Sequence, residues 1–402
     1  MALEKVLHQT VTGLLARHIQ EGSLYLHVSS SPSRRFGNGQ PETHWHIHDP
    51  TILRRLLWDP ELQLGETYLE GGWNVGSSDA LPAFMEVMMR NFSKLGPAPY
   101  THIRRWLHTL VRTGNAITRS YRNVKHHYDL DEWLFRRFLD ERLFYSCAYF
   151  EKPEQTLEEA QLAKCRLIAR KLRLQPGMRV LDIGSGWGSL AIYLAQEADV
   201  EVTGVTLSNE QLRVAQADAE RLGLQDKVRF HLQDYRKHIG DYDRIVSVGM
   251  FEHVGVRHYP DFFRQMARLL KPDGIALLHT IGAAHKDGPP NPWIRRHIFP
   301  GSYIPLLSQL SPAMQRSGLM LTDLEVLRLH YAYTLREWFR RFQHHRAEVV
   351  ERMGERFARM WEFYLAVCEG SFLWQDMVVF QLQLAKRHGA VPITRNYLAA
   401  DR

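Results

Sequence analysis

Only three cysteines occur in 402 residues, Cys147, Cys165 and Cys368, and none of them belongs to a Cys-x-x-Cys pair. That scarcity excludes a disulfide framework or a zinc ribbon and suits a reducing compartment, so a cysteine that matters here acts as a single thiol. Long apolar runs are missing too, and no stretch approaches the roughly 18 residues that a membrane-spanning helix needs. The amino terminus, MALEKVLHQTVTGLLARHIQ, mixes charge with apolar residues at helical spacing and lacks the unbroken apolar core of a signal peptide. A cytoplasmic protein is therefore expected. There is no internal repeat and no low-complexity run; 45% hydrophobic residues is ordinary for a globular chain, and the length allows two domains.

Acidic residues are absent from Val87 to Tyr128, where Arg90, Lys94, Arg104, Arg105, Arg112, Arg119, Arg122 and Lys125 interleave with Phe92, Ile103, Trp106, Leu110 and Tyr121. In a chain of net charge +7 this stretch points to an anionic membrane surface as partner. The plainer alternative is a linker packed on its own protein with a solvated basic face. No nucleic-acid-binding motif accompanies the charge, so nucleic acid is not expected. His44, His46 and His48 alternate along one strand without a carboxylate or cysteine companion, which reads as a half-exposed strand face and no metal centre.

The expected fold class is α/β: a Rossmann-like, doubly wound, mostly parallel sheet preceded by a small α+β domain. Residues 1–95 supply a helix, the strand GSLYLHV, a hairpin tip from Ser29 to Gln40, a strand over 43–48, a helix at TILRRLL and another from Leu81. Residues 96–128 are the basic linker and 129–402 the main domain. Within it, strands are expected over 179–183, 200–208, 228–234, 242–250, 275–281 and 377–384. Helices are expected over 209–222, 259–270, 334–353 and 355–369, and a Pro- and Gly-punctuated insertion over 283–318 lies across the strand ends.

The first of these strands, Arg179-Val-Leu-Asp-Ile183, breaks into Gly184-Ser-Gly186-Trp-Gly188 and restarts as a helix. Glycines there let the chain turn sharply and let a ligand approach the helix amino terminus. A dinucleotide fingerprint wants G-x-G-x-x-G and an acidic end to the second strand. Here the third glycine comes one residue early, with Asp182 inside the strand end, which favours S-adenosylmethionine over a nicotinamide dinucleotide; a turn with no ligand is the plainer alternative. The second strand closes on Thr206 and Ser208, followed by Gln211, polar groups that suit ribose hydroxyls, although Ser208 also suits a helix N-cap. The third ends in Asp234, an acceptor for an adenine amino group. Glu252 in Gly249-Met-Phe-Glu-His-Val-Gly255 and His279 in Leu278-His-Thr-Ile-Gly282 close neighbouring strands, an acid/base pair where a reacting group would sit.

The ordered motifs YSCAYF (145–150), LDIGSGWGSLA (181–191), GVTLS (204–208), GMFEHVG (249–255), LLHTIG (277–282), PWIRRHIFPGSYIP (292–305) and HYAYTLREW (330–338), with GETYLEGGW (65–73) in the amino-terminal domain, resemble the cyclopropane fatty acid synthase family of S-adenosylmethionine-dependent methyltransferases. The resemblance implies methylene transfer from S-adenosylmethionine to the cis double bond of an unsaturated acyl chain in a membrane phospholipid. An alkene is a poor nucleophile, so the methyl donor must be held in line with it in a dry site. Attack leaves a carbocation, and a nearby base must remove a proton from the new methyl group to close the ring. The resemblance implies that this base is a bicarbonate ion held by Cys147, Glu252, His279, Tyr331 and the backbone of Ile281. It places Tyr145, Ser146, Gly184, Gly186, Thr206, Gln211 and Asp234 around the methyl donor, Trp293 and Tyr303 along an acyl channel, and the enzyme as a homodimer peripheral to the inner face of the cell membrane.

One segment departs from the family's pattern: His127-Tyr-Asp-Leu is followed by Asp131-Glu132 where Gly-Asn is common, which puts two negative charges near the donor site. Two other readings remain open from sequence. One is a methyltransferase of unsaturated lipids giving methyl-branched products; the other is a lipid-binding protein without catalysis, against which the intact glycine loop and the Glu252/His279 pair argue.

Overall fold

The computed structural model describes residues 2–29, 31–92, 131–285, 288 and 290–399; the expected linker, 96–128, lies outside them. Two compact units divide the chain discontinuously: one joins the amino-terminal segment to Pro290–Pro300 and Leu335–Asp376, the other takes Gly301–Thr334 and the chain from Met377 onward together with the glycine-loop region. A continuous 129–402 domain was the expectation. The compact units divide it instead, because the long helix Glu355–Trp374 packs on the helices Pro60–Leu69 and Leu81–Phe92.

In the first unit, β1 (Ser23–Val28), β2 (Ser31–Gly37), β3 (Glu42–Ile47) and β4 (Trp73–Asn74) form a sheet of order β2-β1-β3-β4. Most of the expected hairpin tip is strand: β2 pairs antiparallel with β1. Alternation puts Leu24, Leu26, Trp45 and Ile47 in the core and Tyr25, His27, His44 and His46 on the outer face.

In the second unit, β5 (Arg179–Ile183), β6 (Glu201–Thr206), β7 (Val228–Leu232), β8 (Tyr242–Val248), β9 (Leu270–Ala283), β10 (Met320–Leu327) and β11 (Met377–Ala385) form a sheet of order β10-β11-β9-β8-β5-β6-β7. β5 to β9 run parallel, while β10 and β11 are antiparallel additions at one edge. Both faces are covered, so the parallel strands are almost continuously apolar. Leu181, Ile245 and Leu278 face one layer with Phe262 and Phe263, and Val180, Val246 and Leu277 face the other with Ile168 and Leu190. β5 lies between β6 and β8, the switch point at which a doubly wound sheet opens a crevice.

Candidate functional site

The crevice forms at the carboxyl end of β5, where Gly184, Gly186 and Gly188 all have positive φ (84°, 52° and 85°). At Gly186 an added Cβ would meet nothing within 4 Å, so backbone conformation alone demands glycine. At Gly188 it would come within 2.7 Å of Ala215 Cβ and 2.8 Å of Phe230 Cζ, so this glycine lets the helix Ser189–Ala198 pack onto the sheet. Its role is packing, and it does not line the cavity.

The cavity wall contains Tyr145, Ser146, Asp182, Gly184, Gly186, Trp187, Thr206, Gln211 and Asp234. Thr206 Oγ1 donates to Gln211 Oε1 at 3.1 Å, while Ser208 is the N-cap of Asn209–Arg221, its Oγ accepting from Gln211 N at 3.3 Å. Asp234 accepts from Arg236 N and Nε, each at 2.9 Å, which fixes its carboxylate on the wall. Tyr145 stands edge-on to Phe135 at 5.1 Å, and Phe135 also packs against Trp187 at 5.3 Å. The helix carrying Phe135, Glu132–Phe138, is where the departure from the family pattern finds its use. Asp131 caps it through Trp133 N at 2.9 Å, and Glu132 pairs with Arg213 at 2.9 Å on the helix after β6. Asp131 thus starts the helix, and Glu132 ties it to the helix after β6.

Among the described residues the buried Asp182 Oδ2, Ser185 Oγ and Trp187 Nε1 have no hydrogen-bond partner, and burial pushes the Asp182 carboxyl up to about 7. Buried polar atoms are normally satisfied. These three at one cavity mark it as a site for a polar ligand, and the acidic groups Asp182 and Asp234 suit the cationic centres of S-adenosylmethionine.

Next to this cavity, β8 and β9 place Val248 beside His279, and Gly249 N donates to the His279 main-chain oxygen at 3.0 Å. The short turn Phe251–His253 then brings Glu252 over β9. Glu252 Oε1 accepts from Ile281 N at 2.5 Å, its main-chain oxygen accepts from Tyr303 N at 3.0 Å, and Oε2 is buried with no hydrogen-bond partner among the described residues. Burial raises this carboxyl above its ordinary range, and the Ile281 bond opposes that only in part. The backbone N–H of Ile281 thus meets Glu252 directly.

His279 is 2% exposed, and its tautomer follows from its neighbours. Lys171, paired with Glu325 at 2.5 Å, has only donors to offer, so the Gln381 atom 2.7 Å from its Nζ is Oε1. Gln381 Nε2 therefore faces His279 Nδ1, at 3.0 Å, and donates to it. Nδ1 being the acceptor, the neutral ring carries its proton on Nε2. Burial, with the charges of Lys164 and Lys171 next, holds the imidazole pKa well below its usual value.

Cys147 is buried, donates to the Ala148 oxygen at 3.3 Å, and has its thiol pushed far up by burial, so it is a neutral S–H. Its loop is tied to the first turn of the helix His330–His344: Ala148 N donates to Thr334 Oγ1 and Phe150 N to His330 Nδ1, each at 3.0 Å. Tyr331 sits half-buried on that turn.

Sequence reasoning missed Lys164, Lys171 and Gln381. Both lysines lie on the buried stripe of the helix Leu157–Leu172, seven residues apart, and Lys164 Nζ donates to Ser146 Oγ at 2.7 Å on the cavity wall. A lysine repeated at stripe positions is the signal that could have found them. Trp293 belongs to the first unit, 0% exposed, filling the space over Gly65 and meeting Phe363 at 4.7 Å. Tyr303 stays with the second unit, half-buried, accepting from Gln309 Nε2 at 3.0 Å.

A family model described as mycolic acid cyclopropane synthetase matches residues 115–382. The cyclopropane-fatty-acyl-phospholipid synthase of Escherichia coli strain K12 is 39% identical over 349 residues, 87% of this chain and 89% of that one. Among solved structures, the cyclopropane synthase MmaA2 from Mycobacterium tuberculosis aligns with a TM-score of 0.64 at 37% identity, over 68% of this chain and 100% of that one. Mycolic acid cyclopropane synthase CmaA1, complexed with SAH and CTAB, aligns with a TM-score of 0.63 at 35% identity, over 66% and 97%.

Proposed function

The chain belongs to the mycolic acid cyclopropane synthetase family, and from that premise we propose that it is a cyclopropane-fatty-acyl-phospholipid synthase acting on cis-unsaturated acyl chains. The observation that carries the reading is what stands at two neighbouring strand ends next to the crevice: Glu252, a buried carboxyl held by Ile281 N, and His279, an imidazole locked as the Nε2–H tautomer. When bound, S-adenosylmethionine supplies an electrophilic methyl group and bicarbonate supplies a base for ring closure.

The glycine loop and Asp182 hold the donor, and Tyr145 with Trp187 shields it from water. The donor set fits an oxyanion on chemical grounds. His279 offers Nε2–H, Cys147 an S–H and Tyr331 a phenol, beside the strand end that carries Glu252. Neutral donors favour an anion without cancelling its charge, so the base stays strong enough to take a proton. Ile281 N orients the Glu252 carboxyl. We assign docking on anionic phospholipid to the basic stretch 87–128 on sequence grounds.

The test is expression in a bacterium without a synthase of its own, followed by gas chromatography of the lipids. Unsaturated chains heavier by one methylene with a ring are expected, and Glu252→Gln should lose most of that conversion while still binding S-adenosylmethionine in calorimetry. Branched chains would select the methyl-branching reading. Unchanged lipid mass with lipid still bound would select the non-catalytic one.

A further inference from the structure

On the outer face of the amino-terminal sheet, β1 and β3 run parallel with Tyr25 beside His44 and His27 beside His46. The alternation in THWHIH gives two imidazoles on one strand face; the third comes from the neighbouring strand, which only the pairing reveals. One ring nitrogen from each of His27, His44 and His46 lies within 4.8 Å of the other two. We propose that these three histidines form a site for a divalent transition-metal ion, zinc in the first instance, with a fourth position open to solvent.

The geometry supports this at three levels. A tetrahedral zinc with Zn–N distances of about 2.0–2.1 Å needs its nitrogens roughly 3.3 Å apart. His27 Nε2 and His44 Nδ1 are already 3.0 Å apart, sharing a hydrogen bond that an ion replaces once His44 moves its proton to Nε2. The rings of His27 and His46 stack at 4.3 Å and 5°, and those of His27 and His44 at 5.2 Å and 19°, so modest side-chain rotation turns all three toward one point. The other nitrogen of His27, Nδ1, lies 2.7 Å from Ser33 Oγ on β2, an outer partner that fixes the ring with Nε2 toward the cluster. His48 is drawn aside by Asn74, 2.8 Å from its Nε2, and is outside the set. Three imidazoles and no thiolate favour zinc, copper or nickel over calcium or magnesium. The half-exposed strand face expected from sequence is thus also a face that can turn three imidazoles to one ion, and nothing in it depends on the lipid chemistry proposed above.

Full-length protein stripped with EDTA and titrated with zinc chloride in a calorimeter tests this. One ion per chain at micromolar affinity or tighter is expected. His27→Ala and His46→Ala should each weaken it at least tenfold, and His48→Ala should leave it unchanged. These side chains lie on the outer face, so the variants keep the fold, checked by circular dichroism. Copper(II) bound at one equivalent should show electron paramagnetic resonance coupling to three nitrogens. The proposal is overturned if wild type takes up no saturable zinc, if His27→Ala and His46→Ala bind like wild type, or if the copper spectrum shows fewer than three nitrogens.

Discussion

Asp182→Asn should make the ligand-free protein more stable while weakening its hold on S-adenosylmethionine. The Asp182 carboxyl closes β5 at 2% exposure with Oδ2 unpartnered, and burial alone moves its pKa from the ordinary 3.8 to about 7. At 1.36 kcal/mol per unit, that gap corresponds to a penalty on the ionised form of about 4 kcal/mol. Between pH 4 and 7 the native state holds a proton on this group that the unfolded chain has lost, so stability falls as pH rises through that window and the full penalty stands above it. An asparagine carries no charge and escapes the penalty, less the smaller cost of burying its amide. Urea unfolding at pH 8 and pH 4.5 should show the variant gaining as much as about 4 kcal/mol over wild type at pH 8, with little or no gain at pH 4.5. Equal differences at the two pH values would refute the burial argument, and undiminished affinity for S-adenosylmethionine in calorimetry would refute the assigned role.

Gln381→Leu removes the donor that keeps His279 Nδ1 an acceptor; kcat should fall about 10–100-fold with S-adenosylmethionine affinity intact, and nitrogen NMR should show the ring no longer fixed as the Nε2–H tautomer. Wild-type kcat would show that the Lys171–Gln381 chain is structural only. Gly188→Ala combines a positive φ with a Cβ 2.7 Å from Ala215, and should cost about 2–5 kcal/mol in denaturant unfolding; a loss below about 1 kcal/mol would contradict the packing role. Binding to anionic vesicles should weaken steeply as salt rises, and salt-insensitive binding would remove the electrostatic account of residues 87–128.

Much of the site could be read from sequence because its key side chains sit at strand ends, where a doubly wound sheet puts its ligands. Glu252 and His279 were identifiable on that ground alone, and the Ser208 N-cap from local chemistry. Gln381 was not, because its partnership with His279 depends on β11 inserting antiparallel beside β9, a pairing between residues 102 apart. β10 was missed because MLTDLEVL, at the sheet edge, carries acidic residues that pair with Lys171 and Arg395 and disguise its alternation. Ile281 and Trp293 entered only through the resemblance; in the fold the Ile281 N–H is taken up by Glu252, and Trp293 fills a glycine-made space in the other compact unit.

The most direct test of the central claim uses purified protein, vesicles containing cis-monounsaturated phospholipid, and S-adenosylmethionine with a fully deuterated methyl group. If the Glu252/His279 end of the site supports proton removal and ring closure, mass spectrometry will find one added carbon carrying two of the three deuterium atoms. Retention of all three would mean that the methyl group is never deprotonated, which would contradict the account.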